Sequence, residues 1–170
     1  SRLHDLRFPP SPAERGVLLA ESERRSVIDP LARAAVRRRE RESFERETGA
    51  VFVHAYEDRR TAAGQGTAGL EIAEECEEAG AVLVPVGGGG LLAGVATAVK
   101  ARCPGVRVVA VQPEASPALR ESLRLGRPLL AYPAAPTRAD GLAGGIGQIA
   151  VDHRHLVDEV VTVSEAAIED

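Results

Sequence analysis

Tryptophan and methionine are missing from this 170-residue chain, and aromatic residues make up only 3% of it. A core must therefore be assembled from Ala, Val, Leu and Ile, which suits thin helices packed closely on a sheet. Cysteine is almost as scarce. Cys76 and Cys103 are too far apart for a thiolate metal motif and too few for a disulfide scaffold, so a reduced, cytoplasmic setting is expected. No apolar run approaches the roughly 18 residues of a membrane span, and the N-terminal SRLHDLRFPP lacks the apolar stretch of a secretory signal. A soluble chain without a membrane partner is expected. An excess of positive charge is missing too: 21 Lys and Arg stand against 25 Asp and Glu, for a net charge of -4. That balance excludes a nucleic-acid footprint for the molecule as a whole. The basic run Arg37 to Arg39 is interleaved with acids and has no aromatic platform beside it, so it reads as a solvated helix face. Small molecules and protein partners remain. The scarcest functional group is the amine: of the 21 basic residues only Lys100 is lysine. Chemistry that needs a lysine has one candidate.

What is present is the length of one domain, long enough to bury about two-thirds of its unfolded surface. Ser1 to Pro30, with Pro9, Pro10 and Pro12 and one short apolar patch, reads as a loose arm, and residues 31–170 as the folded part. Leu31 to Thr48 combines helix formers with charges of both signs at i,i+4 spacing and stops at Gly49, which predicts a helix. Beyond it, short β-branched runs alternate with helical segments, the pattern of βα units on a parallel sheet. The predicted strands are Val51 to His54, Ala81 to Val86, Val106 to Gln112 and Glu159 to Val163. The predicted helices are Thr67 to Ala79, stopped by Gly80, and Leu91 to Arg102. A third, short helix is capped by Ser116, with Pro117 in its first turn, and closed by Gly126. Arg127 to Asp158 is rich in Gly and Pro, with a helical turn expected at His153 to Val157. Ser164 reads as the N-cap of a helix over the last residues.

Gly87 to Gly90 fall between the strand ending at Val86 and the helix beginning at Leu91. At such a junction the free N–H groups of the first helical turn sit at the positive end of the helix dipole, and glycines let the backbone approach an anion. One contact of this kind contributes only about 0.3 to 1 kcal/mol, so several donors must converge. Two other readings compete with a phosphate cradle. A tight turn without a ligand is one. The other is a dinucleotide site, because Gly88, Gly90 and Ala93 fit G-x-G-x-x-A and Glu114 follows the next strand. Elsewhere, His153 and His155 with Asp152 and Asp158 read as polar surface rather than metal ligands, and His54 as a structural histidine. No Ser-His-Asp arrangement is visible from spacing, and no catalytic residue is assigned.

Several blocks, in order, resemble the PLP-dependent threonine/serine dehydratases and serine racemases of PLP fold type II. They are FVHAYED (52–58), AGQGTAGLEI (63–72), VPVGGGGLLAGVATAVKARCPGVRVVAVQPE (84–114), TRADGLA (137–143) and LVDEVVTVSEAAI (156–168). The resemblance implies an α/β fold class: a parallel-sheet, three-layer half of the large domain, with the N-terminal arm beside it. It implies pyridoxal 5'-phosphate as cofactor, its phosphate held by Gly87, Gly88, Gly89, Gly90 and the N–H of Leu91, with Gly141 near the ring. It also implies a lyase acting on a small amino-acid substrate, releasing ammonia and a keto acid, with pairing to another copy left open as a homo-oligomer. The family's Schiff-base lysine belongs to a Ser-x-Lys-x-Arg-type stretch upstream of the glycines, which this chain does not contain. Lys100 falls on the outer part of the following helix instead, and the downstream Ser-Gly-Gly-Asn-type segment is not in the sequence either. Gln112 and Ala118 stand where cation-binding members carry carboxylates, so no metal site is assigned. The chain alone is expected to be inactive, and a non-catalytic PLP- or phosphate-binding remnant or an NAD-binding oxidoreductase domain are the alternatives.

Overall fold

The structure is a computed structural model that describes residues 30–75 and 78–169. Residues 1–29, nearly all of the expected arm, lie outside the described residues, as does Cys76. Helix α1, Pro30–Thr48, follows the expected span. Its mixed charges pair along the helix, as in Arg38 with Glu42 and Arg41 with Glu45, each worth a few tenths of a kcal/mol at about that spacing. Gly49 ends it with a φ of 70° and an N–H bond to Glu45 O.

Val51 to His54, expected as a strand, is not one. The run is apolar and β-branched, but no described strand lies alongside to share its backbone bonds, and Val51 is 82% exposed. Composition proposes a strand; only a neighbour makes one. The next helix, α2, spans Arg59–Glu75 and so starts eight residues before the expected Thr67. The reason is Asp58, whose carboxylate accepts the Arg60 N–H at 2.7 Å and caps the first turn. The Arg60 guanidinium on the same carboxylate pulls the Asp58 pKa down to about 2. Gly64 and Gly66 are carried inside the helix, whose described span ends at Glu75, and Glu78 and Ala79, expected at its end, are not helical.

Three parallel strands follow, β1 (Ala81–Pro85), β2 (Arg107–Pro113) and β3 (Glu159–Val163), in the spatial order β1-β2-β3. Val84 pairs with Ala110 and Ala110 with Val160, which puts these three on one face. Helix α3, Gly90–Arg102, connects β1 to β2 and packs Leu92, Val95, Ala96 and Val99 against Val82, Val84, Val108 and Ala110. Burying side chains of this size contributes roughly 1.5 to 3 kcal/mol each, so this seam is the stable centre of the chain. On the other face of β1, Leu83 is 65% exposed, so the described residues build no further layer over that strand. The result is mixed α/β with a parallel sheet. Helix α2 lies on α3 through glycines: a Cβ on Gly94 would collide with Ala62 O, and one on Gly69 would stand 2.9 Å from Ala98 Cβ.

Helix α4, Ala118–Leu125, corrects another expectation. Pro117 holds the N-cap position, and Ser116 Oγ accepts the Gly144 N–H instead. The capping acceptor is Gln112, fully buried at the end of β2, whose Oε1 takes the N–H groups of Leu119 (3.0 Å) and Arg120 (3.2 Å). Gly126 closes the helix at a φ of 69°. The long segment after it carries a 3-10 turn at Asp140–Leu142, helix α5 at Gln148–Asp152 and a second 3-10 turn at Arg154–Leu156, within the expected His153 to Val157. Ser164 Oγ accepts the Ala167 N–H and caps α6, Glu165–Glu169.

The glycine seam between α2 and α3 should be intolerant of a single methyl. Gly94→Ala is expected to cost about 1 to 3 kcal/mol in urea unfolding. Gly105→Ala, where nothing lies within 4 Å of the added carbon, should change stability by less than about 0.5 kcal/mol.

Candidate functional site

The chain leaves the sheet at Val86, whose N–H makes the last ladder bond, to Val111 O. Gly87 to Gly90 then turn into α3, with Gly89 at its N-cap in the left-handed region at a φ of 98°, where an L side chain is strained. Four neighbours crowd the turn. A Cβ on Gly87 would lie 2.9 Å from Gly141 O, so the 3-10 turn Asp140–Leu142 lies against the glycine loop. A Cβ on Gly89 would collide with Ala150 of α5. One on Gly88 would collide with the Tyr56 ring, and one on Gly90 would stand 2.9 Å from both Tyr56 and Gln65 Oε1. All four glycines are thus demanded by close approach, before any ligand is considered.

The amides supply the second half of the site. Among the described residues, none of the N–H groups of Gly87, Gly88, Gly89, Gly90 or Leu91 meets a protein acceptor, while Gly88 O is held by the Gly147 N–H and Gly89 O by the Ala93 N–H. The carbonyls are engaged and the donors left over. These donors stand at the positive end of the 13-residue helix α3, on a loop whose last two glycines are buried and whose Leu91 is 37% exposed. Such a set suits a phosphate dianion. Gly141 is exposed, and its carbonyl oxygen lies beside Gly87.

Sequence reasoning missed the turn opposite these amides in the chain. His54 Nδ1 accepts the N–H groups of Tyr56 (3.3 Å) and Glu57 (3.1 Å), and the His54 and Tyr56 rings meet edge to face at 4.5 Å. Glu57 Oε1 accepts the Ile149 N–H at 3.2 Å, joining this turn to α5 across 92 residues. Gln65 Nε2 donates to Ala55 O, and its buried Oε1, facing Gly90, has no donor among the described residues. The FVHAYED block carried the resemblance, but nothing in its composition told that Tyr56 reaches the glycines. Burial, with the Glu57 charge second, raises the Tyr56 pKa above 10.0, so the phenol is neutral at physiological pH.

Lys100 is at the far end of α3 and is occupied. Its ammonium lies 2.7 Å from Asp158 Oδ2 and donates to Val106 O at 2.9 Å, while the same carboxylate accepts the Val108 N–H. These bonds tie α3, the start of β2 and the entry to β3. Hydrogen bonds from Lys100 first and Val108 next hold the Asp158 carboxyl below its ordinary 3.8. His153 Nδ1 and His155 Nδ1 each donate to a carbonyl of the adjoining helix, Ile149 O and Asp152 O. Among the described residues no group of three His, Cys, Asp or Glu could hold a metal ion. A groove of about 360 Å³ along α2 and α3, lined by Ala62, Gly66, Gly94 and His153 among others, includes none of the glycine-loop residues. The unpaired backbone donors are on the loop and not in this groove.

The family described as pyridoxal-phosphate dependent enzyme matches residues 22–170, reaching into the segment read as an arm. The L-threonine ammonia-lyase of Geobacter sulfurreducens is 44% identical over 125 residues, 72% of this chain and 31% of that protein. The serine racemase of Arabidopsis thaliana is 41% identical over 123 residues, 72% of this chain and 37% of that protein. The structure of maize serine racemase superposes with a TM-score of 0.71 at 38% identity, over 76% of this chain and 41% of that one. The chain spans well under half the length of the relatives it matches.

The Lys100–Asp158 pair has a pH signature. With the folded pKa of Asp158 lowered, its stabilisation is complete above the unfolded value of about 3.9 and is lost as pH falls through the lower folded value. Chemical unfolding between pH 7 and pH 3 should find Asp158→Asn less stable at neutral pH, with the gap to the parent closing below about pH 4. A gap independent of pH would remove the ion pair from the account.

Proposed function

Since this chain belongs to the pyridoxal-phosphate-dependent enzyme family, we propose that residues 31–170 are the phosphate-holding part of a lyase that deaminates small hydroxy amino acids. The observation that carries this reading is the set of unspent amides from Gly87 to Leu91 at the head of α3. In it, Gly87, Gly88, Gly89, Gly90 and Leu91 donate to the cofactor phosphate, and Gly141 closes the side of the loop at Gly87. The bound cofactor supplies an electron-withdrawing ring that stabilises negative charge at the α-carbon of the amino acid. The chain's own task is to fix the phosphate end and keep the ring in register with the substrate.

The proton-transferring amine is not among the groups at the loop. Lys100, the one lysine of the sequence, is spent on Asp158 and Val106 O. Release of ammonia and a keto acid from threonine or serine, as the names of the relatives suggest, therefore needs a lysine-bearing segment brought to this loop. The same ion pair favours a second reading, in which the chain binds the cofactor or phosphate without turning over. A cytoplasmic setting belongs to the proposal, and no described helix is long and apolar enough to cross a membrane.

Titration of the chain with pyridoxal phosphate, followed by absorbance, should give saturable binding that inorganic phosphate competes away. Gly89→Ala should weaken it about tenfold or more, equivalent to about 1.4 kcal/mol. Borohydride reduction and mass analysis should find no adduct on Lys100. A stoichiometric adduct there, with ammonia release, would overturn the assignment of Lys100 to a structural role.

A further inference from the structure

The amides explain how a phosphate is gripped but not what holds the grip open. Tyr56 packs against both the glycine loop and the residue ahead of α5. On one side a Cβ at Gly88 would collide with its ring; on the other a Cβ at Gly147, the residue ahead of α5, would collide with the Glu57 carboxylate and lie 3.0 Å from Tyr56 Cδ2. The two glycines are also joined by the Gly147 N–H bond to Gly88 O at 3.0 Å. The ring therefore packs against both glycines, with Gly88 demanded by the ring and Gly147 by the neighbouring Glu57 carboxylate. Its backbone is fixed independently of the loop, through the two N–H bonds to His54 Nδ1 and the Gln65 bond to Ala55 O. Glu57 then pins α5 from the next position.

We propose that Tyr56 is a positioning residue of the cofactor site, a rigid aromatic wall that sets the spacing between the glycine loop and α5 and contacts the phosphate-bearing ligand there. This rests on the reading of the glycine loop given above. An aromatic ring suits the role because two χ angles leave little freedom to lose, and removing so large a group leaves a cavity that the loop would relax into. The phenol is neutral at physiological pH, and burial raises its pKa further, so no charge on the ring opposes a dianion.

The chain has two tyrosines and no tryptophan, so in a Tyr132→Phe background the ultraviolet emission of the protein comes from Tyr56 alone. Inorganic phosphate, which neither absorbs nor emits in that range, should shift this emission saturably, with the concentration dependence of its competition against pyridoxal phosphate. Tyr56→Phe should bind pyridoxal phosphate within about threefold of the parent and Tyr56→Ala about tenfold or more weakly. Should Tyr56→Ala fail to fold, as circular dichroism would reveal, the emission of the Tyr132→Phe protein decides alone. Binding of pyridoxal phosphate with a Tyr56 emission indifferent to phosphate would overturn the role of Tyr56 and leave the loop assignment standing. Absence of binding by either compound would overturn both.

Discussion

Approach of backbone to backbone, at places where a side chain would intervene, is the constraint that the remainder of the molecule answers to. It operates twice along α3. At the head of the helix four glycines admit Gly141, Tyr56, Gln65 and α5 to within contact of the main chain, and along its side Gly66, Gly69 and Gly94 let α2 rest on it. The same helix thus faces the sheet with Leu92, Val95 and Val99 and faces everything else with almost nothing. A core poor in aromatics makes this workable, since Val and Ala leave short distances between layers. What the loop loses in side-chain contacts it regains in donors, because a chain that turns this tightly cannot spend its own amides.

The far end of α3 is organised by charge instead. Lys100 and Asp158 join three elements around the start of β2, with one carboxylate oxygen serving both an ammonium and the Val108 N–H. That arrangement decides a question of chemistry by a fact of architecture. An amine held in two short bonds at the opposite end of a 13-residue helix is unsuited to reaction at the glycines. The family match speaks against the dinucleotide reading of the glycine run, since the G-x-G-x-x-A coincidence follows from four consecutive glycines.

Elements whose signals are local were legible in the sequence. β3 was read to the residue from its β-branched run, α3 to within one residue, and Gly49 and Gly126 stop their helices as expected. The failures share a cause, which is dependence on a distant partner. Val51 to His54 has strand composition and no described strand beside it. Ser116 looks like a cap, but its hydroxyl is drawn to Gly144, 28 residues on, and the cap comes from Gln112. At the site, the glycines announce themselves by composition, whereas Tyr56 and Glu57 act through neighbours, such as Ile149, that no local pattern connects to them.

Gln112 shows what it means for a side chain to have several obligations at once. Its oxygen caps α4, and its nitrogen donates to Val86 O, just ahead of the glycines, and to Ser116 O, all within a site with no solvent access. A carboxylate is what the family resemblance leads one to expect here in a cation-binding chain. Exchanging this amide for that carboxylate would remove both donations and leave an uncompensated negative charge in the interior, unless an ion arrived in the same step. The position therefore resists that exchange: with one amide wired into two elements, a single substitution disturbs the cap of α4 and the strand end at Val86 together.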